Sequence, residues 1–255
     1  MTMLEYNTWT IEQHGWDPLH EPEVEQQLSF SNDYLCQTAH FEEHYAAPQR
    51  LCTYIKGVEK PIPNISSISV RLHDERLDLA DWKVESFFRR LHKNAPLLER
   101  EFTTLSPKGY KLNIHALREL LPAKKEAMQI TYKVQSVDYN GPISLLALLG
   151  GGEEAVEWYP LMNFVGQDMS WMWLQMRHVD LQLCCAMNYM IFKNGAAVPH
   201  RPIKIEKQHI VGYSATLPIQ EGETYTLQKR VVVLDSRNHP KDILIDSAMQ
   251  CLTNW

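Results

Sequence analysis

The residues of this chain that could do chemistry begin with His40-Phe41-Glu42-Glu43-His44, two imidazoles and two carboxylates in five positions. A zinc hydrolase needs His-Glu-x-x-His on a helix, so that both rings share a face and the glutamate adjoins the first. Here the acids sit at other offsets and the segment reads as strand or loop. A hydrogen-bonded structural cluster is the stronger reading, and no metal is expected. Neighbouring side chains on an extended chain point to opposite faces, so Glu42 and Glu43 are not expected to form the facing carboxylate pair of a glycosidase. A second candidate is Trp158, Trp171 and Trp173, set among Met162, Met169, Met172 and Met176. Sugar rings present apolar C–H faces to aromatic planes, which would make this cluster a saccharide platform. Packing in a core or between domains is the more common fate of such tryptophans.

Other arrangements come up empty. Gly150-Gly151-Gly152 lacks the Lys-Ser/Thr of a phosphate loop and precedes Glu153-Glu154, which would repel phosphate, so it reads as a flexible turn. There is no Gly-x-Ser-x-Gly elbow, and eleven histidines without a positioned serine or cysteine do not make a triad. Cys36, Cys52, Cys184, Cys185 and Cys251 are odd in number and form no Cys-x-x-Cys pair. Cys184 and Cys185 would point apart on a strand, so buried thiols are expected rather than disulfides or a zinc site.

The elements that must position these groups are strands. Alternating apolar residues bounded by turn residues dominate, and helical periodicity is scarce. Ile68 to Leu72 and Leu77 to Leu79 flank His73-Asp74-Glu75-Arg76, a predicted hairpin. Phe102 to Leu105 and Tyr110 to Ile114 flank Ser106-Pro107-Lys108-Gly109, whose proline and glycine suit a type I turn. Met128 to Val137 and Ile143 to Leu149 flank Asp138-Tyr139-Asn140-Gly141-Pro142, where Asn-Gly favours a tight reversal. Leu181 to Phe192 ends at Lys193-Asn194-Gly195, and Gln208 to Leu217 joins Thr224 to Leu234 across Gln220-Glu221-Gly222-Glu223. So many strands imply two large stacked sheets, roughly 10 Å apart and filled by facing Leu, Ile, Val and Met. Only Asp242 to Trp255 has helical spacing, with Pro240 ahead as a start signal.

No linker or repeat interrupts the 255 residues, so one all-β domain is the economical reading. The formal charge is −6, from 31 acidic and 25 basic residues, and the basic residues are scattered. Neither nucleic acid nor an acidic membrane is expected as a partner. The N-terminus lacks a basic segment followed by an apolar one, and the nearly uncharged stretch from Asn140 to Gly152 is too short to span a bilayer. A cytoplasmic protein is expected.

Several stretches are similar to the start of glycoside hydrolase family 65, which includes maltose, trehalose, kojibiose and nigerose phosphorylases. These are Trp9-Thr10-Ile11-Glu12, Asp17-Pro18, Leu28-Ser29-Phe30-Ser31-Asn32-Asp33-Tyr34-Leu35 and Phe41-Glu42-Glu43, followed by Thr53-Tyr54-Ile55-Lys56-Gly57-Val58 and by Arg90-Leu91 through Leu98-Glu99-Arg100. The resemblance implies a β super-sandwich of the galactose-mutarotase type over residues 1–240, with 241–255 starting the helical linker to an α/α barrel. In that family an acid of the barrel protonates the glycosidic oxygen while phosphate, a co-substrate and not a cofactor, attacks the anomeric carbon with inversion. No catalytic residue is expected here, because the barrel sequence is absent. Glu42 and Glu43 match the family's paired acids, and with His40, Asn32 and Arg100 they are the expected carbohydrate or interdomain contacts, beside Trp158, Trp171 and Trp173. Asp33, Cys36 and Ala39 stand where relatives carry glycine and Thr38 where they carry arginine, while His92 and Pro96 replace the usual Asp and Gly. The lost glycines imply an altered local backbone.

Expected partners are therefore an α-glucoside or other carbohydrate, a catalytic α/α barrel, and a second copy of the chain, since relatives pair through this domain. A free-standing carbohydrate-binding module and a mutarotase-type epimerase are the competing readings. The latter needs a histidine acid and a glutamate base in one pocket, which the sequence cannot pair.

Overall fold

The computed structural model describes residues 3–43, 53–150 and 157–255. His44, Cys52 and the Gly151 to Glu154 run lie outside the described residues.

The expected all-β sandwich is present. The large sheet runs, edge to edge, through Met3–Tyr6, Thr10–His14, Lys83–His92, Leu97–Leu105, Lys111–Leu120, Ala127–Ser136, Thr224–Asp235, Gln182–Lys193, Met169–Met176 and Trp158–Val165, with Ala196–Ala197 paired to Gln182–Lys193. A second sheet orders Ile203–Lys207, Ile210–Ile219, Gly141–Gly150, Ile68–Leu72 and Glu75–Arg76. Phe30–Ser31, Leu35–Gln37 and Thr53–Ile55 form a small third sheet. All pairings are antiparallel. The central strands fold this way because their apolar residues recur at every second position. Along Lys111–Leu120 burial alternates at each residue, Leu112, Ile114 and Ala116 facing in and Asn113 and His115 facing out. These inward residues and those of the second sheet, such as Val70, Leu145, Tyr213 and Leu217, make one continuous core.

Local turn chemistry explains some connections. Gly109 donates its amide to the Ser106 carbonyl at 2.9 Å and takes a φ of 89°. Asn194 and Gly195 take φ values of 47° and 88°, the left-handed pair that closes Lys193 onto Ala196. The reversal after Leu72 is tighter than expected. Leu72 pairs with Glu75, the Leu77 amide still donates to the Val70 carbonyl at 2.9 Å, and the Leu77 and Leu79 side chains enter the core.

Two predicted hairpins are corrected. Asp138 to Pro142 and Gln220 to Glu223 do not join paired strands; each carries the chain from one sheet to the other. Neither Asn140 nor Gly141 adopts positive φ. Gly141–Gly150 pairs instead with Ile210–Ile219, from Gly141 opposite Ile219 to Gly150 opposite Ile210. Strands that share a core satisfy their apolar faces as well across the sandwich as side by side, so alternation cannot choose between the two.

The C-terminal helix forms where its spacing places it, over Leu244–Thr253 after a 3₁₀ turn at Lys241–Ile243. It lies on the outer face of the large sheet, burying Leu244, Ala248 and Leu252 against Trp171, Cys184, Ala186, Val232 and Leu234. Cys185 faces the main core, so the adjacent thiols do point apart. The second sheet covers part of the large sheet's inner face. The helix Glu21–Gln27 and the segment 28–43 meet another part, through apolar side chains such as Leu28, Leu35 and Phe41, the last against Phe87 at 5.9 Å, and through buried ion pairs.

Candidate functional site

Four strands of the large sheet place a cation at an inward position: Arg89, Arg100, Arg118 and Lys229, each at most 3% exposed. A buried charge is costly unless paired, and the chain between Glu21 and Glu43 supplies the partners for the three arginines. Arg89, fully buried, binds Glu21 and donates to the Gln13 side-chain oxygen at 2.6 and 2.9 Å and to the Ala39 carbonyl. Arg100 donates through one nitrogen to both Glu42 and Glu43, the latter at 2.6 Å. Arg118 donates to Glu42 at 2.9 Å, to the His40 carbonyl at 2.6 Å and to the Gln37 amide oxygen at 3.1 Å. Tyr132 closes the cluster by donating to Glu43. Among the described residues Lys229 has no carboxylate in contact; its ammonium group donates to the carbonyls of Ile65 (2.7 Å), Ser67 (3.1 Å) and Leu148, so it ties the second sheet to the first.

This geometry corrects one expectation. Glu42 and Glu43 do not face apart, because the backbone bends at these residues and both carboxylates converge on Arg100. Their protonation differs. Burial pushes the Glu42 carboxyl up, but Arg118 and Arg100 outweigh it and hold it well below the usual carboxylate range. Burial pushes Glu43 up, Arg100 opposes this, and the neighbouring Glu42 charge adds to it, so Glu43 is the more basic of the two. Burial and then the Arg118 charge push the His40 imidazole well below its ordinary value. His40 Nδ1 lies 3.1 Å from the Thr38 carbonyl and 3.3 Å from Arg118, while Nε2 and the second terminal nitrogen of Arg100 are buried with no hydrogen-bond partner among the described residues.

The backbone around this cluster is ordinary. Asp33, Cys36 and Ala39 do not take positive φ, so the conformation here does not require glycine at these positions. Asn32 lies at the surface, where its side-chain oxygen accepts from the Tyr34 and Leu35 amides at 2.8 Å and its amide donates to the Lys125 carbonyl. Tyr34 then donates to Asp235 at 2.7 Å, and Arg237 clasps the same carboxylate. Burial pushes Asp235 up, but these hydrogen bonds prevail and keep it ionised. Tyr34→Phe is expected to cost about 1.5–3 kcal/mol, the range for a hydrogen bond to a charged group, read as a lower urea midpoint with an unchanged slope.

The tryptophans do not share a surface. Trp158 is buried in the main core and donates its indole N–H to the Pro61 carbonyl at 2.8 Å. Trp171 and Trp173 face the other way, beneath the C-terminal helix, with Trp171 stacked on Phe164 at 5.5 Å and Trp173 bonded to Gln182 at 3.2 Å. Two acid–histidine clusters face solvent, Glu5 with Glu12 and His14, and Glu99 with Glu101 and His115. Arg90 stands between them, 2.9 Å from Glu12 and 3.4 Å from Glu99, and supplies the positive charge there.

Sequence reasoning picked out His40, Glu42, Glu43 and Arg100, which the structure brings together, and missed Arg89, Arg118, Gln37, Tyr132 and Lys229. A signal for the cations exists. Each occupies a core position in an alternating strand, as in Phe87-x-Arg89-x-Leu91, Leu98-x-Arg100-x-Phe102, Ala116-x-Arg118-x-Leu120 and Leu227-x-Lys229-x-Val231.

Fold and cluster define a large antiparallel sandwich whose most buried charges are engaged in holding its own chain. Residues 11–254 match the family described as glycosyl hydrolase family 65, N-terminal domain, and the chain belongs to that family. It is 28% identical over 151 residues to the kojibiose phosphorylase of Halothermothrix orenii, a match covering 55% of this chain and 19% of that protein. A solved structure, a putative kojibiose phosphorylase from human microbiome, superposes with a TM-score of 0.84 at 20% identity, over 99% of this chain and 36% of the other. The latter likeness concerns fold, and this chain spans well under half the length of either relative.

Proposed function

We propose that this domain is the β companion of a catalytic α/α barrel in a phosphorylase acting on an α-glucoside, and that it supplies neither the proton donor nor the phosphate pocket. The carrying observation is the state of its best acids. Inverting phosphorolysis needs a carboxylic acid beside the glycosidic oxygen and free hydrogen-bond donors around phosphate. Glu42 and Glu43 are at most 5% exposed and bound to Arg100, Arg118 and Tyr132. The surface assigned to the barrel is the apolar strip of Tyr159, Met162 and Phe164, each more than two-fifths exposed, on the edge strand beside the helix-covered region. A second copy is the competing occupant of that strip. The free thiols Cys36, Cys184, Cys185 and Cys251 suit a reducing cytoplasm, and no described helix is long and apolar enough to cross a membrane.

The purified chain, given phosphate and kojibiose, maltose, trehalose or nigerose, is expected to release no glucose 1-phosphate. Adding a separately produced family 65 barrel should restore phosphate-dependent release. Cleavage by this chain alone would refute the proposal.

A further inference from the structure

We propose that the open face of the large sheet carries a saccharide-binding groove, on the side opposite the buried ion cluster and independent of the barrel assignment. Strand register builds it. Ser86, Thr103, Asn113, Gln135 and Thr224 are successive partners across five strands, and Phe88, Glu101, His115 and Lys133 form the neighbouring row. All nine line one open groove of about 490 Å³, within the roughly 300–1,000 Å³ typical of small-molecule sites.

The groove's chemistry selects the ligand. Thr103 donates to the Asn113 side-chain oxygen at 2.9 Å, and Asn113 donates to Gln135 at 3.1 Å, so the amides are held in fixed orientations. His115 Nε2 is 3.1 Å from Glu99 and 3.5 Å from Glu101, while its buried Nδ1 has no partner among the described residues. Lys133 makes no ion pair among the described residues. Hydroxyl, amide, imidazole, carboxylate and ammonium therefore alternate over a short distance with balanced charge. Such a surface suits a neutral polyhydroxylated ligand, and Glu99 and Glu101 oppose a phosphate or a nucleic acid. Phe88 adds an apolar wall for sugar C–H groups, packed by Arg90 at 4.8 Å and His14 at 5.2 Å. The ligand class is a pyranose, as mono- or disaccharide.

The test is an amide NMR titration of the 255-residue chain with glucose, maltose and kojibiose, inorganic phosphate serving as the control. Saturable shifts are expected at residues 86–88, 101–103, 113–115 and 133–135. The double variant Asn113→Ala/His115→Ala should bind about tenfold or more weakly, as expected for losing two hydrogen-bonding groups. Both residues face outward, so its unfolding midpoint should match the parent; should it fall, Gln135→Ala/Lys133→Ala takes its place. Absence of saturable shifts with all three sugars, shifts confined to other surfaces, equal binding by a folded variant, or groove shifts with phosphate alone would each overturn the proposal. None of these results bears on whether a barrel partner exists.

Discussion

Replacing Arg100 with methionine is expected to lower the unfolding free energy by about 3–5 kcal/mol, because it leaves a buried carboxylate without its countercharge. Glu42 retains Arg118, so the burden falls on Glu43, which among the described residues keeps the Tyr132 hydroxyl as its side-chain donor. Glu43 should respond by taking up a proton on folding. The double variant Arg100→Met/Glu43→Gln should therefore recover part of the loss, and urea unfolding of the two singles and the double gives the coupling between the sites. A loss below about 1 kcal/mol for the single variant, the level of an exposed pair, would show that water reaches the cluster and that these acids are not locked.

The second large effect is a pH dependence carried by His40. Its folded pKa lies well below the ordinary 6.5, first through burial and then through Arg118, with Arg100 adding to this and Glu42 opposing it. Below about pH 6.5 the unfolded chain then binds a proton that the folded chain refuses, so stability falls with acidification. The slope is about 1.4 kcal/mol per pH unit for one proton, down to the depressed folded value. Glu43, whose carboxyl is raised, contributes with the opposite sign over part of this range, while Glu42 loses its contribution only below the ordinary carboxylate range. The clean measurement is therefore a difference. The stability of the parent minus that of His40→Gln should decline toward pH 4.5 and stay flat above pH 7. A difference independent of pH would mean that His40 charges freely in the folded state.

Both effects arise from one feature, a row of cations on the face of a sheet that also borders the hydrophobic core. Removing one partner is expensive, but the cluster's net contribution is a separate quantity, since desolvation offsets much of the attraction. The cluster's geometric effect is specific: the chain from Glu21 to Glu43 is held on the sheet where Arg89 meets Glu21, Arg100 meets both Glu42 and Glu43, and Arg118 meets Glu42 and the His40 carbonyl. Asn32 and Tyr34 fasten the other end of that segment, at Lys125 and Asp235.

What the sequence determined by itself was whatever depends on local spacing. The period of two in Lys111–Leu120 and its neighbours made the strands, Asn194-Gly195 and Pro107 with Gly109 made their turns, and the period near 3.6 after Pro240 made the one helix that was expected. Family membership was legible in the same way, through contiguous motifs from Trp9 to Arg100. Tertiary structure alone decided which strands became partners, and so turned two predicted hairpins into crossings between sheets. It alone brought Arg118 to Glu42 across 76 positions, and it alone aligned Phe88, Glu101, His115 and Lys133 across four strands. The physical reason is that alternation states which face a side chain occupies and leaves open which strand lies beside it. Register and pairing come from summing core contacts and charge neutralisation over the whole sandwich.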